Sequence, residues 1–130
     1  MRRSVKAALT RWHGSPVTEA VIQRAIVKLL HVMQNQGLLR FGAIPNGGSR
    51  NVIEAANMKR TGTVAGIPDL CVFLPGGRTL WIEVKSAKGT LSRAQRDWAE
   101  WLLANGHRYA MVRSFDEFEA VLKREMHGHV

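Results

Sequence analysis

The sequence predicts a single α/β domain with a mixed sheet, and three patterns support that fold class. Apolar residues recur every three or four positions early in the chain, two short apolar runs flank a Pro-Gly-Gly turn, and Ser-x-x-Gln and Ser-x-x-Glu boxes precede two later helices. The length of 130 residues suits one domain. We expect a basic lead-in at residues 1–14, the domain at residues 15–126 and a tail at residues 127–130.

The first half of the chain is predicted to hold two helices and one strand. Ser15 and Pro16 suit the cap and the first position of a helix that Gly37 ends. The apolar stripe of that helix consists of Val21, Ile22, Ala25, Ile26, Leu29, Leu30 and Met33. Residues 38–44 form the predicted strand, and a polar, glycine-rich loop then leads to a short predicted helix at residues 52–60.

The second half of the chain is predicted to hold three strands and two helices. The strands are expected at residues 69–74, 78–85 and 109–112. Ser92 and Gln95 form a capping box for a helix that Gly106 ends, and Ser114 with Glu117 forms a second box for the last helix. The predicted order of elements is therefore α-β-α-β-β-α-β-α.

The charge of the chain favours a nucleic-acid partner. Lys and Arg outnumber Asp and Glu by 19 to 10, for a net charge of +9, although a merely soluble basic protein can have the same balance. The sequence has neither a signal-peptide pattern nor the ~20 consecutive apolar residues of a membrane helix. Cys71 is the only cysteine, so no internal disulfide can form. We therefore expect a cytoplasmic protein without a membrane partner.

Two carboxylates are predicted to lie side by side on one face of the sheet. Glu83 and Lys85 are two residues apart in a strand, so they share a face. A three-residue turn pairs Leu74 with Arg78, and counting back along this hairpin brings Asp69 opposite Glu83, about 5 Å apart at Cβ. A two-residue turn would move Asp69 to the other face, but glycine at the third turn position favours the longer turn.

Paired carboxylates indicate either a divalent cation between them or a shared proton, because two adjacent negative charges repel each other. Oxygen ligands suit Mg²⁺ or Mn²⁺, and the Lys85 ammonium suits contact with a phosphate or orientation of a water molecule. A bound cation would lower the pKa of that water and neutralise charge in the transition state. The same residues also fit a surface acid pair with a salt-bridging lysine, so spacing alone leaves catalysis open.

These residues resemble the PD-(D/E)XK nuclease superfamily and, within it, the virus-type replication-repair nuclease (VRR-NUC) domain. The matching pieces, between about Glu19 and about Phe118, are Glu19 with Gln23, Asn46-Gly47-Gly48, Gly66-Ile67-Pro68-Asp69-Leu70, Glu83-Val84-Lys85 and Leu91-Ser92-Arg93-Ala94-Gln95. An acid-x-Lys triplet alone is weak evidence, whereas the ordered set is specific, and no position of the core motif departs from the pattern. The resemblance implies a restriction-endonuclease-like core, with a mixed four-stranded sheet flanked by helices.

The resemblance also implies the make-up of a metal site. A Mg²⁺ or Mn²⁺ ion would be held by Asp69, Glu83 and the backbone carbonyl of Val84, with Lys85 assisting the attacking water. Glu19 would reach the same site directly or through a water molecule. From the residues alone, Glu19 equally suits a helix N-terminus, where a negative charge is favourable.

Other residues are predicted to support the site or to contact DNA. The resemblance implies that Gln95 supports the centre or touches the DNA backbone, although a capping box alone would explain it. Polar and basic residues that flank the motifs are candidates for phosphate contacts, and each of them also fits an ordinary solvated charge. These candidates are Asn46, Arg50, Lys59, Arg60, Lys88, Arg93 and Arg96.

By this resemblance the protein is expected to be a divalent-metal-dependent DNA endonuclease in phage-type replication, recombination or repair. Compact stand-alone members resemble enzymes that resolve four-way junctions or other branched DNA, and two symmetric cuts require a homodimer. The alternatives are a catalytically silent, basic DNA-binding module and a nuclease subunit that depends on a partner. An RNA-cleaving enzyme is a third alternative, against which the two metal-binding acids argue.

Overall fold

A computed structural model describes residues 17–45 and 51–127, which form four helices and four strands in the predicted order. The elements are α1 (Glu19–Asn35), β1 (Arg40–Ala43), α2 (Val52–Arg60), β2 (Leu70–Leu74), β3 (Arg78–Val84), α3 (Arg93–Ala104), β4 (Arg108–Val112) and α4 (Phe115–His127). The predictions for the lead-in, for Ser15 and Pro16, for the loop at residues 46–50 and for the last three residues of the tail lie outside the described residues.

Helix α1 begins three residues later than the sequence predicts. Its N-cap is Thr18, whose backbone is extended and whose hydroxyl oxygen accepts the Val21 N–H at 3.3 Å. Thr18 is the cap because its side chain satisfies one of the free N–H groups of the first turn. The predicted end is confirmed, since Gly37 follows the helix with a φ of +76°, a backbone conformation that favours glycine.

The four strands form one mixed sheet in the order β1-β2-β3-β4. Strand β2 is antiparallel to both β1 and β3, whereas β4 runs parallel to β3. The predicted hairpin register is confirmed, because Leu74 pairs with Arg78 and Cys71 pairs with Trp81. The sheet and its flanking helices therefore match the predicted fold class.

The main hydrophobic core lies on one face of the sheet, between the strands and helices α1 and α4. Helix α1 contributes Ile22, Ile26 and Leu30, and α4 contributes Phe118 and Leu122, all of them buried. The strands contribute Leu70, Val72, Leu74, Leu80, Ile82, Val84 and Val112. Because side chains alternate along a strand, Trp81 and Glu83 point to the opposite face, as predicted.

The two predicted capping boxes differ in their hydrogen bonds. At α3 the Ser92 hydroxyl accepts the Gln95 N–H at 3.1 Å, and the Gln95 side-chain oxygen accepts the Ser92 N–H at 2.9 Å. At α4 the Ser114 hydroxyl accepts the Glu117 N–H at 3.1 Å, but the Glu117 carboxylate accepts the N–H of Arg113 instead of that of Ser114. The second box is therefore half formed.

In the described ranges, no helix has the length and apolar character that a membrane span requires.

Candidate active site

Asp69 lies directly before β2. Its carboxylate, and not a backbone carbonyl, accepts the hydrogen bond of a backbone N–H of β3. Pro68 is buried and has no N–H, and the ladder of β2 begins one residue after Asp69. The Oδ2 atom of Asp69 accepts the Val84 N–H at 2.7 Å, and its backbone oxygen accepts the Ile44 N–H at 2.8 Å. The predicted strand thus starts at Leu70, and the Asp69 side chain is fixed against β3.

Glu83 is a buried acid in direct contact with Asp69. Its side chain is 1% exposed, and its Oε2 atom accepts a hydrogen bond from the Gln95 amide at 3.4 Å. Its Oε1 atom is buried and accepts no hydrogen bond from a donor among the described residues. Two carboxylates can hydrogen-bond to each other when one of them carries a proton. The Glu83–Asp69 contact is therefore a place for either a shared proton or a cation.

The surroundings of Glu83 raise its pKa from 4.5 to about 9. Burial is the largest cause, because it penalises the charged form, and the hydrogen bond and negative charge of Asp69 add to it. The Lys85 ammonium opposes the shift, and the Glu19 carboxylate increases it. At neutral pH Glu83 therefore keeps a proton as long as no cation replaces it.

Val84 is the last residue of β3, and Lys85 follows it beside the acid pair. Lys85 is 8% exposed, which is rare for a lysine, and its N–H donates to the Val112 carbonyl at 3.0 Å. Its charge acts on Glu83, so the two side chains share one face, as their spacing predicts. The structure therefore brings Asp69, Glu83 and Lys85 together at one point on the sheet.

Glu19 approaches this point from the other layer of the fold, since it is the first residue of α1. A Cβ atom added to Gly89 would lie 3.4 Å from the Glu19 Oε2 atom, so the carboxylate rests against the loop that follows β3. The described part of the chain contains no cluster of three or more Asp, Glu, His or Cys side chains that could hold a metal ion. Glu19 is thus near Glu83 without completing a three-carboxylate site.

The residues present fit a divalent cation. Two adjacent carboxylates supply hard oxygen ligands, and the Oε1 atom of Glu83, which has no hydrogen-bond donor in the described part of the chain, is an acceptor that a cation would satisfy. Burial is the main cause of the raised pKa of Glu83, and a cation would offset the negative charge of Asp69 that adds to it. A donor set of two carboxylates and one backbone carbonyl leaves further positions for water, as Mg²⁺ prefers.

Gln95 is both a capping residue and a partner of the acid pair. Its side-chain oxygen accepts the Ser92 N–H, while its Nε2 atom donates to Glu83. The two interpretations of the sequence are therefore compatible, because one amide group has an acceptor end and a donor end.

A close approach at Gly66 brings the first turn of α3 to the site. Gly66 has a φ of +88°, and a Cβ atom there would lie 2.5 Å from the carbonyl carbon and oxygen of Ala94. Glycine therefore lets the segment before Asp69 pack directly on the helix turn that carries Gln95.

The predicted phosphate contacts fall into two groups in the described part of the chain. Lys88, Arg93 and Arg96 are exposed in the loop after β3 and at the start of α3, close in sequence to Lys85 or Gln95. Lys59 and Arg60 are exposed in the last turn of α2, a helix that buries none of its residues. The predictions for Asn46 and Arg50 lie outside the described residues.

Two further residues near the site are absent from the sequence prediction. Tyr109 pairs with Trp81, and its buried hydroxyl has no hydrogen-bond partner among the described residues. Burial and then the charges of Glu83 and Asp69 raise the pKa of Tyr109 to about 12. Arg113 follows β4 and donates hydrogen bonds to the loop after β3. The alternation in β4 would have put Tyr109 on the site face, whereas nothing local in the sequence indicates the partners of Arg113.

Comparisons with known proteins identify the family of the chain and support its fold. The model of the VRR-NUC domain family matches residues 17–116, which is most of the chain. A solved structure described as a VRR_NUC domain protein superposes with a TM-score of 0.65 and 24% identity, over 83% of this chain and 87% of that chain, and this likeness supports the fold. A comparison with curated proteins found no match. The chain therefore belongs to the VRR-NUC family of nuclease domains.

Proposed function

We propose that the protein is a DNA endonuclease that hydrolyses phosphodiester bonds with Mg²⁺ or Mn²⁺. The observation that carries the proposal is the buried acid pair, in which Glu83 is 1% exposed and lies against Asp69, with one oxygen that has no hydrogen-bond partner among the described residues. A buried acid that must keep its proton at neutral pH lowers the stability of the fold, so a function is the best reason for its presence. The adjacent Lys85 and the net charge of +9 favour a phosphate-containing polymer as the substrate.

Each residue of the site has a role in this proposal. Asp69, Glu83 and the Val84 carbonyl would hold the cation, and Glu19 would act through a water molecule. The cation would supply acidification of the attacking water and neutralisation of the charge that develops on the phosphate. Lys85 would contact the scissile phosphate and orient the water, while Gln95 fixes the Glu83 carboxylate.

We further propose that the substrate is branched DNA, such as a four-way junction, and that the protein acts as a homodimer in phage-type replication, recombination or repair in the cytoplasm. A four-way junction presents two equivalent strands, and a two-fold symmetric dimer would cut both in the same geometry. These details rest on the family resemblance and on symmetry.

The proposal is tested by cleavage of a labelled four-way junction, a flap and a plain duplex in Mg²⁺ and in Mn²⁺. Asp69→Asn is the diagnostic variant, since an amide keeps an acceptor for the Val84 N–H but loses the negative charge. Asp97→Asn is the matched control, because it makes the same change at an exposed position of α3. We expect Asp69→Asn to reduce the cleavage rate by roughly 10³-fold or more, which corresponds to about 4 kcal/mol, and Asp97→Asn to cut normally.

The outcomes separate the candidate functions. Metal-dependent cutting that Asp69→Asn abolishes supports the nuclease, and paired symmetric nicks in the junction support a dimeric resolving enzyme. Binding of DNA without cutting of any substrate would favour the silent binding module or the partner-dependent subunit instead. Equal cutting by Asp69→Asn and the control would mean that Asp69 is not part of the site.

DNA binding is expected to weaken steeply with salt, because lysine and arginine contacts release counterions from the phosphates. Lys88→Gln and Arg93→Gln should each reduce the slope of log K against log salt by about 0.9 on duplex DNA. Lys123→Gln is the matched control, since Lys123 is exposed on α4, in the layer on the far side of the sheet. Fluorescence anisotropy in EDTA measures the DNA affinity of the three variants at several salt concentrations. Slopes for Lys88→Gln and Arg93→Gln that equal the wild-type slope would mean that Lys88 and Arg93 do not contact phosphates.

A further inference from the structure

We infer that Arg113 is a positioning residue of the proposed nuclease centre, which it serves by fixing the turn at residues 86–89. The inference rests on the proposed function. The Nη1 atom of Arg113 donates to the backbone carbonyls of Ser86 at 2.7 Å and Gly89 at 2.6 Å, with a longer contact to Ala87 at 3.3 Å. One guanidinium group thus closes around a turn of four residues that directly follows Lys85.

Two hydrogen bonds fix the backbone on either side of the Arg113 side chain. The ladder between β3 and β4 extends past the strands, because the Lys85 N–H donates to the carbonyl of Val112, the residue before Arg113. The Arg113 N–H donates to the Glu117 carboxylate at 2.9 Å, within the cap of α4. Helix α4 is anchored in the core by Phe118, which is fully buried. Arg113 therefore links the turn at residues 86–89 to α4 and, through α4, to the packed core.

The turn contacts Glu19, the third acid proposed for the site. Gly89 lies so close to Glu19 that a methyl group there would touch the carboxylate, with 3.4 Å to its Oε2 atom. Within the turn, the Gly89 N–H donates to the Ser86 carbonyl at 3.2 Å. The exposed Lys88, a proposed phosphate contact, lies between these two residues. The clamp by Arg113 therefore sets where Glu19 and Lys88 stand relative to Asp69 and Glu83.

Loss of the clamp would leave the acid pair intact but free the turn. The Ser86 and Gly89 carbonyls would lose their charged donor, and the Gly89–Ser86 hydrogen bond alone would close the turn. A displacement of about 1 Å in a positioning group can cost on the order of 10²-fold in rate. The expected defect is therefore in catalysis more than in DNA affinity.

The first test measures the turn itself and needs no activity. Arg113→Met removes the guanidinium and keeps an apolar stem, and Arg108→Met is the matched control at the other end of β4, where Arg108 pairs with Glu125. Residue-resolved amide hydrogen exchange by NMR should show that the Gly89 N–H exchanges at least tenfold faster in Arg113→Met than in the wild type and the control. Equal exchange in all three folded proteins would overturn the clamp, whatever the activity of the protein.

The second test measures catalysis on the DNA substrate that the wild type cuts. We expect Arg113→Met to lower kcat by about 10- to 100-fold with KM changed less than about threefold, and Arg108→Met to match the wild type. Arg113→Lys keeps a cation with three donors and should restore most of the kcat that Arg113→Met loses. If Arg113→Met fails to fold, Arg113→Lys takes its place in the exchange experiment, where partial loss of the clamp should still make the Gly89 N–H exchange faster than in the wild type.

The outcomes of the two proposals can be told apart. A wild type that binds DNA but cuts none in either metal would refute the proposed function, while the exchange experiment would still decide whether Arg113 orders the turn. A wild type that cuts, with Arg113→Met cutting equally fast or Arg113→Lys no faster than Arg113→Met, would overturn the positioning role alone.

Discussion

Replacing Glu83 with glutamine is expected to stabilise the metal-free protein while it abolishes DNA cleavage. Glutamine resembles the protonated acid in shape and can donate a hydrogen bond to Asp69, so it fits the site as it stands without a cation. It cannot supply the negative oxygen that a cation needs. Stability and activity therefore change in opposite directions, which is the behaviour of a functional acid and not of a structural one.

The sign and size of the stability change follow from the pKa of Glu83, which is about 9 in the fold against an ordinary 4.5. Between these pH values the folded protein keeps a proton that the unfolded chain releases, so wild-type stability falls as the pH rises from about 4.5 to about 9. Each pKa unit corresponds to about 1.4 kcal/mol. Glu83→Gln removes this loss, and we expect a gain on the order of 1–3 kcal/mol at pH 7.

Urea unfolding in EDTA at pH 5 and at pH 8 measures this effect. The difference between Glu83→Gln and the wild type should be small at pH 5 and larger at pH 8. Glu100→Gln, the same change at an exposed position of α3, serves as the control and should show no such pH dependence. Added Mn²⁺ should then stabilise the wild type but not Glu83→Gln, because binding to the folded state alone raises stability. A Glu83→Gln variant that is less stable than the wild type at pH 8 in EDTA would contradict the buried, protonated acid.

The hairpin that holds the acid pair could be predicted because its determinants are local. The Pro-Gly-Gly turn has positive φ angles at Gly76 and Gly77, of 81° and 75°, and such a turn fixes the register for the whole hairpin. That register alone predicts that Asp69 and Glu83 lie next to each other across the hairpin. The capping box of α3 is equally local, and both of its hydrogen bonds form.

The errors and omissions of the sequence prediction have a non-local cause. The sequence predicts the start of α1 too early, because Ser15 and Thr18 are both good caps and packing of the stripe against the sheet chooses between them. No local pattern indicates a role for Arg113, because its acceptors lie 24 to 27 residues away in the chain. Such contacts depend on the parallel pairing of β3 and β4, and parallel pairing has no turn between the strands that would reveal its register.

Replacing Gly66 with alanine is expected to lower the free energy of unfolding by about 2–4 kcal/mol, and two separate penalties contribute to this loss. The φ of +88° disfavours any residue with a Cβ atom, and that atom would also lie 2.5 Å from the backbone of Ala94. Backbone atoms cannot rotate away as a side chain can, so the segment before Asp69 and the start of α3 must separate. We expect the melting temperature to fall by roughly 10 °C.

Gly106→Ala separates the two penalties, because Gly106 follows the other end of α3 with a φ of +81°, and apart from its chain neighbours none of the described residues comes within 4 Å of its Cβ position. Gly106→Ala should lower the free energy of unfolding by about 1 kcal/mol, which is the conformational penalty alone. Gly66→Ala should in addition pull Gln95 away from Glu83 and reduce cleavage at a temperature where both variants are folded, whereas Gly106→Ala should cut normally. Equal losses of stability and equal rates in the two variants would mean that the glycine of the Gly-Ile-Pro-Asp motif serves the turn only. A larger loss at Gly66 would show that this glycine couples the entrance of β2 to the helix turn that supports the acid pair.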